Sequence, residues 1–473
     1  MEEAIILKET KKKNPWISVG VLVFSAFVAT FNETILNVAL IPIAHDMAVS
    51  SATVQWLITG YMLVTSVMVP VTAFLYQSIS TRKLFLGALG IIFIGSIGCF
   101  IASDFPILLV SRMIQAVGTG MMIPIMMNSV LIIAPRNKIG MAMALCVCGI
   151  TLGPAFAPSI SGIIIQFFQW KAVFILFIAL VIISIILGVF VLDNIAELTR
   201  PHLDIISVIL STLGLAALLY GISCVMSSHF IGIACIIIGI LIIATFVYRQ
   251  KGLEEPLLNF KPFFNTRFTL GVVMVFVAML INFSLNTVMP SFLQGAFYCS
   301  SMISALVLLP GILLNAMSTN ISGKILDKYG VRIMLPAGFI VTAIALFSLS
   351  CCNSSTKLLF IVIFHIIIYQ GLAFTMSPAQ TSALATLEPN MNAHGVAIVN
   401  TSMQIAASIG SSLLGGIQSA EKTVVLLKGA SKSTALFIGF SRAVFAAFII
   451  GIIGLIASIV YNVKLQKNER KAA

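Results

Sequence analysis

Long apolar runs separated by short polar segments divide the chain from one end to the other. Fourteen such runs cover residues 16–43, 53–77, 83–103, 105–133, 138–166, 170–192, 205–226, 230–248, 267–294, 301–325, 331–352, 357–385, 393–419 and 435–463. Because about 20 apolar residues in an α-helix span the hydrocarbon core of a bilayer, each run is long enough to cross a membrane. The pattern predicts an all-α integral membrane protein with 14 transmembrane helices.

Composition narrows the function classes. Of the 473 residues, 59% are hydrophobic and 9% are charged, and the mean hydropathy is +1.11. A soluble domain carries about 25% charged residues. This contrast excludes a cytosolic enzyme, a disordered protein and a nucleic-acid-binding protein, so we expect no enzymatic activity and no nucleic-acid partner.

The positive charges are unevenly distributed among the connecting segments. The chain has 27 Lys and Arg residues against 15 Asp and Glu residues, a net charge of +12. Most of the basic residues fall on the N-terminal tail, the C-terminal tail and the alternate loops that share their side. Cytoplasmic loops are enriched in Lys and Arg, so this distribution predicts a multi-pass plasma-membrane protein with both termini in the cytoplasm.

Two polar internal segments, 193–204 and 249–266, divide the runs into groups of six, two and six. The predicted units are an N-terminal six-helix bundle (1–193), two extra helices with cytoplasmic linkers (194–266) and a C-terminal six-helix bundle (267–473). The loop that contains Arg82 shows weak similarity to the loop that contains Arg332. Related bundles around a central site are a transporter architecture, which we expect to work as a monomer.

Two ionisable residues lie deep in the predicted spans. Glu33 is in the first run and Arg112 in the fourth, at depths that agree within ~5 Å at 1.5 Å of rise per residue. Charged side chains inside a membrane are costly and usually functional. One interpretation is a proton-binding carboxylate with a positive neighbour. The other is a static ion pair that fixes helix packing.

Glycine and proline recur in the fifth run, at Gly149, Gly153, Pro154, Pro158 and Gly162. Small residues let membrane helices approach closely, and proline permits a kink. The segment predicts either a moving helix contact or ordinary close packing.

A second pattern follows the tenth run, at Gly323, Asp327, Gly330 and Arg332. An acidic side chain near a helix N-terminus, with a base nearby, can hold two helices together. The alternative is a set of solvated loop charges.

The C-terminal bundle carries amide and aromatic polar residues instead of charges. The candidates for a substrate cavity there are Asn282, Asn286, His365, Tyr369, Gln370, Asn400 and Gln404. Such side chains could hydrogen-bond a substrate or could join neighbouring helices. The eight cysteines have no metal-site spacing, so we expect no metal. The absence of a Walker A sequence argues against an ATP-driven pump.

Several segments together resemble the major facilitator superfamily. Segment 323–332 is similar to its loop motif, Gly153-Pro154 to its antiporter motif and segment 109–120 to its helix 4 motif. Segment 32–40 resembles the first-helix motif of the fourteen-helix drug:proton antiporters of the EmrB/QacA type, although many relatives have Asp where this chain has Asn32. Segments 56–61, 309–311 and 394–401 most resemble the lincomycin-resistance branch.

The resemblance implies a proton-coupled antiporter that exports drugs or other amphipathic small molecules from a bacterial cell by alternating access. Its partners would be the substrate, protons and membrane lipids, with the proton gradient as energy source and no cofactor; an adaptor protein is left open. Glu33 and Arg112 match the coupling pair. Asn37 and Gln115 lie in two of the motifs and complete the predicted cavity. The alternatives are an exporter of one endogenous amphiphile, such as a lipid precursor, bile-like acid or siderophore, and a non-transporting membrane sensor or scaffold.

Overall fold

The computed structural model describes residues 15–49, 51–54, 56–195, 204–225, 229–253, 256, 258–299, 301–353, 355–388, 391–429 and 431–472. These residues form α-helices, with short 3-10 helices at Arg136–Lys138 and Lys261–Phe264 and no strand. The α-helices are α1 Pro15–Thr34, α2 Leu40–Asp46, α3 Ser51–Val54, α4 Trp56–Ser78, α5 Thr81–Ile101, α6 Phe105–Ile133, α7 Ile139–Phe167, α8 Ala172–Val191, α9 Ile205–Cys224, α10 His229–Lys251, α11 Thr266–Ala296, α12 Ser301–Tyr329, α13 Met334–Ser350, α14 Leu358–Ala373, α15 Met376–Leu384, α16 Asn392–Leu427 and α17 Lys432–Ala472.

The all-helical membrane fold agrees with the sequence prediction. In the described part of the chain, 13 segments are long and apolar enough to cross a membrane. A further apolar helix, α13, has only 17 residues. The count of 14 spans therefore remains a prediction.

Burial separates central helices from peripheral ones. The apolar membrane-spanning portions of α6 and α11 are 72% buried inside the protein, whereas that of α10 is 17% buried. A membrane helix that is apolar all round needs no protein cover, because lipid tails are as apolar as Leu. We conclude that α6 and α11 form the interior and that α10 presents most of its surface to lipid.

The helices pack in two groups with a hairpin beside them. Helices α1 to α8 (the N-terminal half) pack mainly on one another, as do α11 to α17 (the C-terminal half). The halves meet chiefly where α7 contacts α12 and where α4 contacts α16. Helices α9 and α10 pair with each other, and α9 also contacts α4 and α16, with Trp56 stacked on Tyr220 at 5.7 Å between ring centroids.

A polar cluster joins α9 and α10 at one end of the hairpin. The Arg249 guanidinium donates to both carboxylate oxygens of Asp204, at 2.7 and 3.1 Å. These hydrogen bonds lower the pKa of the Asp204 carboxyl to about 2. The carboxylate therefore stays ionised at physiological pH. Gln250 extends the cluster by donating to Ser207 at 2.5 Å.

The first apolar run is not one continuous helix, contrary to the prediction of a single span over 16–43. Helix α1 ends at Thr34, and a turn follows in which the amide of Asn37 bonds to the carbonyl of Thr34 at 3.0 Å. The Arg112 guanidinium donates hydrogen bonds to the backbone carbonyl oxygens of Asn32, at 2.6 Å, and Glu33, at 3.5 Å. A cationic side chain that bonds the last carbonyls of a helix acts as a C-terminal cap. Arg112 thus accounts for the end of α1.

The twelfth run, 357–385, is also interrupted. It forms α14 and α15, separated by Phe374 and Thr375. Pro378 has no amide hydrogen, and its ring clashes with the carbonyl four residues earlier, which is that of Phe374. The last two helices, α16 and α17, extend beyond the predicted runs 393–419 and 435–463.

Candidate functional site

A cavity lies between the two halves of the protein. Its empty volume is about 870 Å³, including the part that opens to solvent. The described residues that line it are Thr30, Glu33, Thr65, Val69, Thr119, Gly120, Ile123, Ile150, Thr151, Pro154, Ala155, Met279, Asn282, Phe283, Asn286, Ile312, Tyr369, Met376, Asn400, Met403 and Gln404.

Glu33 brings the one carboxylate to this lining. It sits next to the last residue of α1, is 7% exposed and faces the cavity. Among the residues that the structure describes, none forms a hydrogen bond or an ion pair with its side chain. An ionisable group in this position is available to a proton or to a ligand, because no internal partner competes for it.

Arg112 lies behind the cavity wall and is fully buried. Its guanidinium donates to the Asn32 side-chain oxygen at 2.7 Å and to the Gln115 side-chain oxygen at 2.9 Å, besides the backbone of α1. It also lies over the Tyr61 ring, 3.9 Å from the centroid. The predicted contact between Arg112 and the carboxylate of Glu33 is not formed in the described structure.

The backbone end of α1 explains this difference. Arg112 donates to the backbone carbonyl oxygen and the side-chain oxygen of Asn32. The carboxylate of Glu33, the residue after Asn32, therefore faces the cavity instead of Arg112. Asn32, which sequence reasoning did not place in the site, is the residue that links Arg112 to Tyr61, since its amide donates to the Tyr61 hydroxyl at 3.1 Å. The sequence feature that could have identified Asn32 is its position beside Glu33, because many members of the resembled family have Asp there.

The predicted Gly-Pro segment forms the contact between α1 and α7. A Cβ on Gly149 would lie 2.8 Å from a Val23 methyl carbon, and one on Gly153 would lie 2.6 Å from the amide nitrogen of Phe31. Pro154 lines the cavity. Gly162 has more room, with Val38 as its nearest neighbour at 3.8 Å. The carbonyl of Pro158 accepts from the Ser161 hydroxyl at 3.2 Å. The close approach therefore involves the first two glycines.

The C-terminal half contributes a chain of hydrogen bonds to the opposite wall. The Tyr369 hydroxyl donates to the side-chain oxygen of Asn286 at 2.9 Å, and the Asn286 amide donates to Asn282 at 3.4 Å. Asn400 and Gln404, on α16, complete the predicted residues that line the cavity.

Four residues predicted for the cavity lie elsewhere. Asn37 is exposed in the turn after α1. Gln115 is buried, where it accepts from Arg112 and donates to Ser96 at 2.9 Å. The His365 ring is buried against the Tyr369 ring, tilted by 39° with 4.5 Å between the centroids. The side-chain oxygen of Gln370 accepts from the Ser318 hydroxyl.

The sequence patterns did not reveal the rotation of the helices that carry Gln115, His365 and Gln370, nor the end of α1 before Asn37. They also missed the four lining threonines, Thr30, Thr65, Thr119 and Thr151.

Asp327 joins the two halves at one end of the bundle, which we call the latch end. Its carboxylate accepts from the amides of Gly140 at 2.7 Å and Met141 at 2.9 Å, at the N-terminus of α7. Gly323 allows this contact, because a Cβ there would lie 2.6 Å from the carbonyl oxygen of Gly140. An acidic side chain is favourable at a helix N-terminus.

The other two residues of that pattern lie just beyond α12. Gly330 ends the helix with a φ of +72°, a left-handed conformation that glycine adopts without strain. The carbonyl of Arg332 accepts from Asn462 at 2.5 Å and so ties this loop to α17.

We expect Asp327→Ala to open the latch end. Loss of a capping side chain costs about 1 kcal/mol, which changes the ratio of latched to unlatched protein about fivefold. Cys148 lies at the same interface, 4.0 Å from the Asn320 amide. Its labelling by a thiol reagent, followed by mass spectrometry, should therefore become about fivefold faster, while the fully buried Cys99 serves as an internal reference.

Asp104→Ala is the matched control for this experiment. Asp104 caps the N-terminus of α6 through the amide of Ile107 at 3.0 Å, entirely within the N-terminal half. Equal acceleration at Cys148 in both variants would show that Asp327 does not control the interface between the halves.

Comparison with known proteins agrees with this architecture. Residues 22–411 match the Major Facilitator Superfamily model. The chain is 33% identical over 458 residues to the lincomycin resistance protein LmrB of Listeria monocytogenes, covering 95% of this chain and 97% of that one. LmrB of Bacillus subtilis is also 33% identical, over 92% of this chain and 94% of its own.

A solved structure, the human organic anion transporter MFSD10 (TETRAN), shares the fold. Its TM-score is 0.65 at 12% identity, with coverage of 93% of this chain and 100% of that one. The helical halves, the cavity between them and the full-length similarity lead to one assignment: the chain belongs to the Major Facilitator Superfamily of membrane transporters, with the lincomycin-resistance proteins as relatives.

Proposed function

We propose that the protein is a proton-coupled antiporter that exports drugs or other amphipathic small molecules across the plasma membrane. The observation that carries this proposal is the single cavity carboxylate, Glu33, whose side chain has no hydrogen-bond or ion-pair partner among the described residues. An antiporter needs one group that either a proton or a substrate can occupy, and Glu33 is in that position. The relatives named for lincomycin resistance support a drug as the substrate.

The proposed cycle uses the closed latch end and the cavity between the halves. The excess of Lys and Arg on one side of the membrane supports a cytoplasmic position for the latch end. In this state a proton from outside binds Glu33 and favours release of a positively charged substrate, because the two compete for one negative charge. Opening of the Asp327 contact then exposes the cavity to the cytoplasm, where the proton leaves and the next substrate binds. The α1–α7 contact at Gly153 adjoins Glu33 and would transmit the change.

Efflux in inverted membrane vesicles tests this function. An imposed pH gradient, acidic inside the vesicle, should drive accumulation of a cationic dye, and a protonophore should abolish it. A panel of cations, neutral drugs and anions then defines the range of substrates. Transport of one compound alone would favour a dedicated exporter of an endogenous amphiphile, and accumulation that is independent of the gradient would contradict proton coupling.

Substrate charge provides a second test. One carboxylate compensates one positive charge, and an additional unpaired charge in a buried site costs several kcal/mol. We therefore expect monovalent lipophilic cations to be exported at least about tenfold faster than divalent cations of similar size. Matched members of one dye series provide the measurement. Equal rates would show that a second negative group serves the cavity.

A further inference from the structure

A groove separate from the central cavity lies between α13 and α17. Its empty volume is about 980 Å³, including the part that opens to solvent. Apolar rings, such as those of Phe347 and Phe445, form part of its wall, and polar side chains, such as those of Asn353 and Thr434, form another part. Arg442 is the one charged residue among the described residues that line this groove.

Arg442 lies at the membrane boundary opposite the latch end. Asn462, on the same helix, donates to the carbonyl of Arg332 beside the latch end. Arg442 precedes Asn462 by 20 residues of α17. At 1.5 Å of rise per residue this is about 30 Å, which is the thickness of the hydrocarbon core of a bilayer. The depth of Arg442 is therefore that of the lipid head groups in the far leaflet.

The face of α17 that carries Arg442 continues toward the latch end as an apolar stripe. Phe445, Ile449, Ile453 and Ile456 follow at intervals of three or four residues, and their side chains are between 40% and 56% exposed. Residues at this spacing share one face of a helix. In a membrane, an apolar face that no other helix covers lies against acyl chains. Arg442 is thus where the head groups end and the lipid tails begin.

The guanidinium of Arg442 forms no hydrogen bond or ion pair with any residue that the structure describes. The neighbouring end of α13 does not need it as a cap, because the last carbonyls of that helix accept other donors. The amide of Cys352 bonds to the carbonyl of Leu349 at 3.3 Å, and the hydroxyl of Ser441 bonds to that of Ser350. A charged side chain at the edge of the bilayer is favourable when a counter-charge reaches it.

The polar part of the groove suits phosphate oxygens. The side-chain oxygen of Asn353 accepts from the amide of Ser355 at 3.0 Å, so its NH₂ group remains as a donor. A guanidinium binds phosphate through charge-assisted hydrogen bonds, and neutral donors add to them. Because the described lining contains no Asp or Glu, no carboxylate there repels an anion.

We infer that this groove binds an anionic phospholipid of the leaflet opposite the latch end. Its phosphate lies against Arg442, and an acyl chain follows Phe445 and Ile449 along α17. A free phosphate shares the anionic chemistry, but only a lipid also covers the apolar stripe that continues from the groove. The site is separate from the central cavity, so the inference goes beyond the proposed transport function and does not rest on it.

The thiol of Cys351, an exposed residue of the groove, reports whether the site is occupied. The full chain is placed in nanodiscs of dioleoylphosphatidylglycerol, which is anionic, or of dioleoylphosphatidylcholine, which has no net charge. Labelling by N-ethylmaleimide, a neutral reagent, is followed by mass spectrometry. The rate at Cys351 is divided by the rate at Cys299, which lies beyond the end of α11 and outside the groove.

We expect this rate ratio to be about fivefold lower in phosphatidylglycerol, since one basic side chain near an anionic lipid surface contributes about that factor. Arg442→Gln should remove the difference between the two lipids. Arg442→Lys keeps the charge without the fork of the guanidinium and should retain part of the difference. Because the Arg442 side chain has no hydrogen bond among the described residues, the glutamine variant should fold and melt like the wild type in detergent.

Lys428→Gln is the matched control. It removes a positive charge just after α16, outside the groove, and should keep the fivefold difference. An equal rate ratio in the two lipids for the wild type would overturn the inference. A fivefold difference that persists in Arg442→Gln would also overturn it, because the lipid would then act without the guanidinium.

Inorganic phosphate, added to the phosphatidylcholine nanodiscs, distinguishes a lipid from a free anion. We expect it to leave the labelling of Cys351 unchanged. Protection of Cys351 by inorganic phosphate alone would contradict a lipid site, because the anion would then bind without the tails. Each of these outcomes is independent of efflux, so failure of the lipid site and failure of the transport function are distinguishable.

Discussion

Glu33→Gln is expected to lower efflux driven by the pH gradient at least about 100-fold, toward the rate of vesicles without the protein. Glutamine has the size of glutamate and still forms hydrogen bonds, but it does not titrate between pH 5 and 9. Because the Glu33 side chain has no hydrogen bond or ion pair among the described residues, the substitution breaks no internal contact. Abundance and thermal stability should therefore stay close to those of the wild type.

Glu421→Gln is the matched control for this experiment. Glu421 is partly exposed on α16, outside the cavity lining, and the variant should transport at the wild-type rate. Counterflow, in which substrate exchanges down its own gradient, should persist in Glu33→Gln when the substrate is neutral. Wild-type gradient-driven efflux in Glu33→Gln would remove Glu33 from the coupling mechanism.

Arg112→Met should destabilise the protein and also reduce efflux. Methionine fills much of the volume but donates no hydrogen bonds, so it leaves the carbonyl and side-chain oxygens of Asn32 and the Gln115 oxygen without their donor. Loss of a buried, hydrogen-bonded charge costs about 3 kcal/mol. This corresponds to a fall of several degrees in melting temperature, measurable by fluorescence-detected size-exclusion chromatography of heated samples.

Arg112→Lys distinguishes the role of charge from that of geometry. Lysine keeps the positive charge but has a single nitrogen, whereas the guanidinium uses two nitrogens to reach Asn32 and Gln115. We expect the lysine variant to recover only part of the lost stability. Arg442→Met, at an exposed arginine of α17, is the control and should melt near the wild-type temperature. Full recovery by lysine would show that the capping geometry at the end of α1 is unimportant.

Several features could be predicted from the sequence because they follow from local composition. A run of about 20 apolar residues must place its backbone hydrogen bonds within the segment, and in a membrane only a helix does so for an isolated run. The Gly149 and Gly153 positions were recognisable as a close helix contact, since small residues have no side chain to keep neighbours apart. Asp327 was recognisable as a connection between helices from its place beside a helix end.

Other features depend on contacts between residues far apart in the chain. The end of α1 is set by Arg112, which lies 79 residues after Glu33. Its guanidinium donates to carbonyl oxygens that would accept from backbone amides if α1 continued. The depth of Glu33 and Arg112 suggested an ion pair. The partner of Arg112 depends on how each helix is rotated about its own axis. The depth of a residue in the membrane does not give this rotation.

The cavity shows most clearly which features follow from the sequence and which depend on the tertiary structure. The sequence by itself determined that this protein is a bundle of membrane helices with one deep carboxylate, because hydrophobic length and the cost of burying a charge are properties of each segment. The tertiary structure decided that Glu33 faces the cavity and that Gln115 and His365 do not. Whether a polar group meets a ligand or a neighbouring helix depends on the packing of two halves whose contacting residues are more than 100 positions apart.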